Sequence, residues 1–506
     1  MKSFASTNFT INIYGYCDKN INELRKLIVK NCLTEITKEK GEFVIVAQSE
    51  CETAIITSGS GVVPYYYFYD GRTLFHGNTV STVCDQAKLP WHWNFKALGD
   101  YLALDHTLDE DTLHPLIKRT SPRSVVSTIS YEFRISKPND SLTEKIQSHP
   151  NNLINELSQI VLRWWQPSEC VLSMSGGLDC RLILATLLAA GRRPKLLVCG
   201  QDAAFDLMVA REISNYFKLD LVRTEICSED FLLAASSISR ETGGLLPISH
   251  WPGVLYAKKT PDKLLFTGLN GEIARSYYDD NGLLSIIRSC IHQVRRPNHR
   301  FWINRFYGAF TDEDYHEIHP ELAEQFLTDA QICRGTRLMG SEQKFNNALD
   351  TAFSLQYGRH KTGADVAALS LMTHWIAPFC SPGWSNLVKR LPHQWKLGSA
   401  FHRYAIEKLV PQLLLFPEEN NPYSRTANSP SIRYWIGLQS KPKVMPFFDQ
   451  SIYEDPALVN LVCESLFCLD DIISPRLLRL IATSPQRRRL FFQLGAVALW
   501  KQGMRH

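Results

Sequence analysis

The sequence contains no long apolar run. No stretch approaches the roughly 20 apolar residues that a transmembrane helix needs. The N-terminal residues, MKSFASTNFTINIYGYC, include no apolar core of the length found in signal peptides. We therefore expect neither a membrane partner nor secretion, and the sequence predicts a cytoplasmic location.

The chain also has little excess charge of either sign. Its 55 Lys and Arg residues exceed its 51 Asp and Glu residues by a formal net charge of +4 over 506 residues. This excess is too small to indicate nucleic acid or an anionic membrane as the main partner. The densest basic run, residues 487–489, is interpreted as the solvated start of a helix. The length predicts two to four domains of roughly 150 residues each.

The 13 cysteines show no repeating spacing. Cys463 and Cys468 lie close together, but no second pair stands at the distance typical of a zinc site. An odd number of cysteines in a long chain without a signal peptide is typical of reduced thiols.

Residues 1–136 are predicted to form a β-rich domain. Short apolar runs bounded by turn residues are typical of strands, and an Asp-Gly pair between two such runs is a strong hairpin signal. The predicted strands are residues 42–47, 53–57, 65–69 and 73–76, with Asp70-Gly71 as the hairpin turn and residues 95–105 as a helix. A segment containing Pro and Asn, residues 137–152, is the predicted linker.

After the linker, strands are predicted to alternate with helices. The predicted strands are residues 171–174, 195–199, 221–226 and 264–267, and the helices among them are residues 181–190 and 204–217. Strands that alternate with helices of this length indicate a parallel sheet covered by helices on both faces. We therefore predict an α/β fold for residues 153–506, mainly helical from about residue 280.

Residues 173–180 combine several features of a phosphate-binding loop. They lie between a predicted strand and a predicted helix, where unpaired backbone N–H groups and the helix dipole attract anions. Gly176 and Gly177 let the backbone approach a phosphate closely. Ser173 and Ser175 offer hydroxyl donors. The same pattern is also compatible with a plain strand–turn–helix junction.

Asp179 and Cys180 follow the two glycines. A carboxylate repels a bare phosphate, so the expected role of Asp179 is to hold Mg²⁺ on the pyrophosphate. The thiol of Cys180 supplies a small side chain but is a weaker hydrogen-bond donor than a hydroxyl. No partnered His is apparent, so we do not expect Cys180 to be a catalytic nucleophile.

The run Ser175-Gly-Gly-Leu-Asp179 resembles the pyrophosphatase loop of the asparagine synthetase family, which usually has Ser where this chain has Cys180. Looser similarities to the same family occur at residues 61–66, 115–126, 205–213, 266–272 and 376–380.

The resemblance implies a synthetase that uses ATP and Mg²⁺, preceded by a glutaminase-like domain at residues 1–136. It implies that Asp179 and Glu272 hold the metal. Glu272 is also compatible with a simpler role as an acid at a helix N-terminus. The residues expected to cradle the pyrophosphate are Ser173, Ser175, Gly176, Gly177, Asp179 and Cys180.

A first departure from the family pattern concerns glutamine hydrolysis. A glutaminase of this class uses an N-terminal Cys as its nucleophile and the free α-amine as its base. This chain has Lys2 and Phe4 near its start, and the nearest cysteine, Cys17, lies inside the chain. We therefore expect no glutaminase activity, and we interpret residues 1–136 as a structural remnant or a docking surface.

A second departure concerns a catalytic cation. Synthetases of this family place a Lys shortly after a Leu-Pro pair, where it stabilises negative charge in the transition states. Counted from Val410-Pro411, Glu419 falls at about that place. Arg425 is the first candidate for a replacement catalytic cation, followed by Arg275 and Lys408. Each of the three is also compatible with a surface position.

The leading hypothesis is an ATP- and Mg²⁺-dependent, AMP-forming ligase of specialised metabolism that joins a small-molecule or peptide carboxylate to an amine. Lactam- and macrolactam-forming members of the family also lack the N-terminal Cys. A macrolactam (lasso-type) peptide cyclase with a peptide-processing partner is therefore the first alternative. Leu269, where some members carry a Tyr, weakens the match to β-lactam-forming enzymes.

Two further alternatives stay open. Glu419 and Lys2 motivate a non-catalytic nucleotide-binding scaffold, because both stand where the family carries chemistry. Cys180 motivates a thiolating enzyme that uses the same loop.

Overall fold

The strands of the fold form two five-stranded sheets and one three-stranded sheet among the described residues. The computed structural model describes residues 9–137, 148–166, 169–260, 263–275, 299–341, 345–418 and 448–504. Within these ranges the strands are β1 (Thr10–Cys17), β2 (Gly41–Gln48), β3 (Thr53–Thr57), β4 (Tyr66–Tyr69), β5 (Leu74–Gly77), β6 (Lys118–Arg119), β7 (Val125–Ile129), β8 (Glu132–Ser136), β9 (Cys170–Ser173), β10 (Lys195–Cys199), β11 (Leu221–Thr224), β12 (Leu264–Phe266) and β13 (His374–Ile376).

The α-helices of the same ranges surround these strands and dominate the second half of the chain. They are α1 (Ile21–Val29), α2 (Leu33–Ile36), α3 (Val80–Ala87), α4 (Phe95–Leu104), α5 (Pro150–Leu162), α6 (Leu178–Ala189), α7 (Phe205–Phe217), α8 (Ser228–Thr242), α9 (Pro252–Leu255), α10 (His299–Ile303), α11 (Pro320–Glu324), α12 (Thr328–Met339), α13 (Phe345–Thr351), α14 (Gly358–Ser370), α15 (Pro382–Arg390), α16 (Ala400–Leu409), α17 (Pro456–Leu466), α18 (Pro475–Thr483) and α19 (Arg488–Met504).

The N-terminal part of the chain forms two antiparallel sheets. The first has the strand order β1-β2-β3-β7-β8 and the second has the order β5-β4-β6. The predicted hairpin is confirmed, because β4 and β5 pair in antiparallel register. The carboxylate of Asp70 accepts hydrogen bonds from the backbone N–H groups of Arg72 and Thr73 at 2.8 and 2.7 Å. Such side-chain-to-backbone bonds are why Asp favours turns.

The central sheet is parallel and has the strand order β11-β10-β9-β12-β13. Its strands are short apolar runs, and residues such as Leu172 of β9 and Leu196 of β10 are fully buried, as is typical of parallel sheets with both faces covered. The prediction of a mixed α/β fold with a parallel sheet is confirmed. The sequence did not predict β13, since three residues inside a helical region carry no strand pattern of their own.

Strand β9 lies where the strand order changes direction. The chain continues from β9 through α6 to β10 on one side, whereas β12 pairs with β9 on the other side. In open parallel sheets a crevice forms at such a point, beyond the carboxyl ends of the strands, and ligands bind there. The loops after β9 and β12 therefore open onto one crevice, and these loops contain the two Gly-rich motifs.

The described residues from 299 onward are mainly helical, as predicted. Residues 138–147 of the predicted linker lie outside the described residues, and its last residues belong to α5. The basic run at the start of α19 is paired within the protein rather than only solvated. Arg487 donates to Asp314 at 2.9 and 3.0 Å, and Arg489 donates to Asp105 at 2.7 Å.

The antiparallel sheets and the last helix share one core. A continuous cluster of buried apolar side chains includes Val44 of β2, Leu98 of α4 and Leu494 of α19. At this junction the indole N–H of Trp500 donates to the hydroxyl of Ser81 at 3.0 Å. The N-terminal part therefore packs directly against the C-terminal helix. None of the described helices is long and apolar enough to span a membrane.

Candidate functional site

The loop between β9 and α6 carries the predicted phosphate-binding residues. Gly176 lies against the ring of Phe205, so that an added Cβ would overlap the ring. The Gly176 N–H donates to Oδ1 of Asp206 at 2.6 Å, and the Gly177 N–H donates to the hydroxyl of Ser175 at 3.2 Å. Helix α6 begins directly after Gly177. The positive end of its dipole, which favours anions, therefore adjoins the loop.

The two ends of the loop are held by hydroxyl and thiol contacts. The Ser173 hydroxyl lies 2.7 Å from the hydroxyl of Tyr256. The Ser175 hydroxyl donates to Sγ of Cys180 at 3.8 Å. Burial raises the pKa of the Cys180 thiol, so the thiol stays protonated near neutral pH. Since the thiolate is the reactive form, this environment gives the thiolating alternative no support.

The loop after β12 packs directly on Asp179. An added Cβ at Gly271 would overlap the Asp179 carboxylate, and one at Gly268 would lie 3.0 Å from the Asp179 Cβ. A larger residue at Gly271 would therefore force the Asp179 side chain to move, and Gly268 is also packed tightly against it. The structure thus brings together two motifs that lie far apart in the sequence.

Asp179 has nitrogen neighbours at both carboxylate oxygens. Nη2 of Arg275, in the 3₁₀ turn Gly271–Arg275, contacts Oδ2. Nε2 of His402 lies 2.9 Å from Oδ1, although the two atoms are not aligned as a hydrogen bond. Burial, and then the charges of Arg275 and Arg403, hold the pKa of His402 well below its usual range. The imidazole is therefore neutral, and Arg275 is the cation in contact with Asp179.

Glu272 belongs to a different set of side chains. Burial raises the pKa of Glu272, and its charged neighbours are Lys361 and Asp365 of α14. Lys361 in turn donates to both carboxylate oxygens of Asp365, at 2.8 and 2.7 Å. In the described part of the chain, no group of three or more His, Cys, Asp or Glu side chains could hold a metal ion. The two acids that the resemblance assigns to Mg²⁺ have different cationic neighbours, which are Arg275 at Asp179 and Lys361 at Glu272.

The sequence analysis did not identify Arg181, which braces the loop from inside α6. Arg181 is fully buried. It donates to the carbonyl of Gly176 at 3.0 Å, to that of Phe416 at 2.9 Å, and also to that of Pro417. An arginine at the start of the otherwise apolar run RLILATLLAA could have indicated a buried guanidinium. A buried guanidinium needs hydrogen-bond acceptors nearby.

The predicted replacement cations fall in different places. Arg275 lies in the site. Glu419 and Arg425 lie outside the described residues. Glu418, which precedes Glu419, accepts a hydrogen bond from Arg403 at 2.6 Å. Lys408 is exposed on α16, with its ammonium group 5.4 Å from the centroid of the Tyr404 ring.

Cys17 does not have the properties of an N-terminal nucleophile. It lies inside the chain at the end of β1, and burial raises the pKa of its thiol to about 11. Lys2 and Phe4 lie outside the described residues.

No family model matches the chain, and a search of the curated proteins found no match. The geometry of the two loops and the motifs that they carry are therefore the evidence for function.

Proposed function

We propose that this chain is an ATP-dependent, AMP-forming carbon–nitrogen ligase of the asparagine synthetase type. The observation that supports this most is the meeting of the two Gly-rich loops beside β9, where the order of the parallel strands reverses. Ligands of open parallel sheets bind at this position. Serine hydroxyls and a helix N-terminus at the same place suit the phosphates of a nucleotide.

The proposed reaction has two steps. An oxygen of the substrate carboxylate attacks the α-phosphorus of ATP, so that an acyl-adenylate forms and pyrophosphate leaves. An amine nitrogen then attacks the acyl carbon, so that the amide forms, AMP leaves with the bonding electron pair, and the amine loses a proton. In this proposal, Ser173, Ser175 and the N-terminal end of α6 bind the departing pyrophosphate and stabilise its negative charge.

The amine is proposed to come from a substrate rather than from glutamine. The buried thiol of Cys17, with its raised pKa, supports this view. When carboxylate and amine belong to one molecule, their proximity replaces the delivery of ammonia and can lower the barrier by several kcal/mol. Peptides and small amino acids are therefore the substrates to test first.

A nucleotide-binding scaffold without catalysis is the second candidate. One observation favours it: the Gly176 N–H and the Asp179 carboxylate already have partners within the protein, Asp206 and Arg275. Such contacts stabilise the loop without any ligand.

Hydroxylamine trapping distinguishes the two candidates. The protein is incubated with ATP, hydroxylamine and a set of peptides and small carboxylic acids, and pyrophosphate and hydroxamate are measured. A ligase releases pyrophosphate only with a suitable carboxylate and yields its hydroxamate. ATP binding without pyrophosphate release from any carboxylate supports the scaffold, and absence of ATP binding rejects both candidates.

Two glycine variants test the position of the phosphates. Gly176→Ala places a Cβ into the ring of Phe205, whereas Gly253→Ala is the matched control because an added Cβ there meets no atom within 4 Å. We expect Gly176→Ala to weaken ATP binding at least about tenfold, or about 1.4 kcal/mol, and Gly253→Ala to leave it unchanged. Equal ATP affinities in the two variants would contradict the assignment of the loop.

A further inference from the structure

The surroundings of Asp179 are unlike those of a magnesium ligand. Mg²⁺ requires oxygen ligands at about 2.0–2.1 Å in near-octahedral geometry. The two carboxylate oxygens of Asp179 instead face nitrogen atoms of Arg275 and His402, and Gly271 closes a third side. Only 13% of the Asp179 side chain is exposed. A metal would therefore have to displace Arg275.

Arg275 is built into the site by the same loop that covers Asp179. It ends the 3₁₀ turn Gly271–Arg275, and its side chain is only 20% exposed. Its charge neutralises a carboxylate that would otherwise repel phosphate groups next to the loop. A guanidinium also presents a planar fork of donors that suits phosphate oxygens.

We propose that Arg275 takes the place of a divalent cation at Asp179, so that the loop binds the phosphates of a nucleotide or pyrophosphate without a metal there. The inference takes its ligand class from the proposed function. The replacement of the metal by Arg275 is expected whether the chain is a ligase or a scaffold. It departs from the expectation that Asp179 and Glu272 together hold Mg²⁺.

The decisive measurement is the affinity of the wild-type protein for pyrophosphate, determined by calorimetry with EDTA and again with excess Mg²⁺. We expect equal affinities in the two solutions. Binding that requires Mg²⁺, with affinity at least about tenfold lower in EDTA, would overturn the inference.

Three variants separate neutralisation by Arg275 from metal binding by Asp179. In EDTA, Arg275→Ala leaves Asp179 uncompensated and should weaken pyrophosphate binding at least about tenfold, with recovery on adding Mg²⁺. Asp179→Asn removes the repulsion, so the double variant Arg275→Ala/Asp179→Asn should regain the affinity in EDTA. Asp179→Asn alone should bind pyrophosphate as tightly as wild type. If Asp179 were a metal ligand, this variant would instead bind pyrophosphate more weakly. Arg211→Ala, a half-exposed surface arginine paired with Asp202, is the matched control.

Failure of the proposed function is recognised separately by titrating Mn²⁺ alone and measuring free Mn²⁺ by electron paramagnetic resonance. If the wild type binds neither ATP nor pyrophosphate, the proposed function is wrong, but this titration still tests the cation. Wild type should bind no Mn²⁺ at Asp179, and Arg275→Ala should gain a site that the double variant loses. A wild-type Mn²⁺ site that Asp179→Asn abolishes would overturn the inference even if Arg275→Ala does not fold.

Discussion

The hydroxyl group of Tyr16 donates a hydrogen bond to the backbone carbonyl of Ala377 at 3.0 Å. Tyr16 belongs to β1 and Ala377 follows β13, so this bond joins an antiparallel sheet to the edge of the parallel sheet. The Tyr16 ring also packs edge-on against Trp164 and Trp375, with centroid distances of 4.9 and 5.5 Å. The contact is therefore a defined point at which the coupling of the two sheets can be measured.

Tyr16→Phe should remove this bond and keep the ring packing. A buried hydrogen bond contributes about 1 kcal/mol to stability, so we expect the free energy of unfolding to fall by about that amount in denaturant titrations. Tyr131→Phe is the matched control, because Tyr131 is 87% exposed. Identical unfolding curves for wild type and Tyr16→Phe would show that the bond contributes nothing to stability.

Glu42→Gln should stabilise the protein in a pH-dependent way. The carboxyl group of Glu42 is fully buried and accepts hydrogen bonds from Ser58, at 3.2 Å, and Ser60. Burial raises its pKa to about 8, although the two hydrogen bonds act in the opposite direction and lower the pKa. In the unfolded chain a Glu titrates near pH 4.3. As the pH rises from about 4.3 to about 8, the unfolded state loses its proton first, so the folded state loses stability.

The Gln variant lacks this titration. Its advantage over wild type should therefore grow by up to about 4 kcal/mol between pH 5 and pH 8, measured by denaturant unfolding at both pH values. Glu50→Gln, at an exposed position, controls for the general effect of removing a negative charge. A difference between wild type and Glu42→Gln that is the same at both pH values would contradict the prediction.

Arg181→Leu should damage stability and ligand binding together. The guanidinium joins the phosphate loop, through the carbonyl of Gly176, to the segment ending at Phe416 and Pro417. Its loss leaves these carbonyls without their donor, and hydrogen bonds to charged groups contribute about 1.5–3 kcal/mol. We expect at least about 2 kcal/mol less stability and weaker ATP binding, measured by denaturation and calorimetry. Arg193→Leu, at an exposed position, is the control, and normal ATP affinity in Arg181→Leu would refute the bracing role.

Asp100→Ala should uncouple α4 from α12. Asp100 is 1% exposed and forms ion pairs with Arg334 at 2.8 Å and Arg337 at 2.6 Å. Removing Asp100 takes this carboxylate away from the buried Arg334, whereas Arg337 keeps Asp109 and Asp111. Removing one partner of a buried ion pair costs about 3–5 kcal/mol. Thermal unfolding should shift clearly below that of wild type, while Asp470→Ala, at an exposed site, should not shift. A shift no larger than that of the control would argue against a structural role of this ion-pair cluster.

Local sequence patterns predicted much of the fold. Residues 195–199 were predicted as one of the strands that alternate with helices, and β10 has these bounds. The hairpin at Asp70-Gly71 followed from turn chemistry. Gly176 and Gly177 were interpreted as positions where the backbone approaches a phosphate closely, and the structure shows that the Phe205 ring packs against Gly176.

Contacts between distant loops could not be predicted in this way. Arg275 and Asp179 are separated by 96 positions, and neither periodicity nor turn chemistry encodes which charged side chains will meet across a crevice. The family resemblance implied that the two loops act together through a metal held by Asp179 and Glu272, and it gave no indication of the contact between Arg275 and Asp179. The proximity of His402 to Asp179 could not be predicted for the same reason. The sequence of its helix, α16, indicates only which face is buried.

The antiparallel sheets share their core with the last helix, so the N-terminal part of the chain contributes to the packing of the rest. The apolar face of α19 is covered in part by α3 and α4, and the Trp500 indole is held by Ser81. Deleting the N-terminal region would expose this face as a large apolar patch, the kind of surface that causes aggregation. The N-terminal region therefore shields this apolar face of α19 from water, whatever other role the region has.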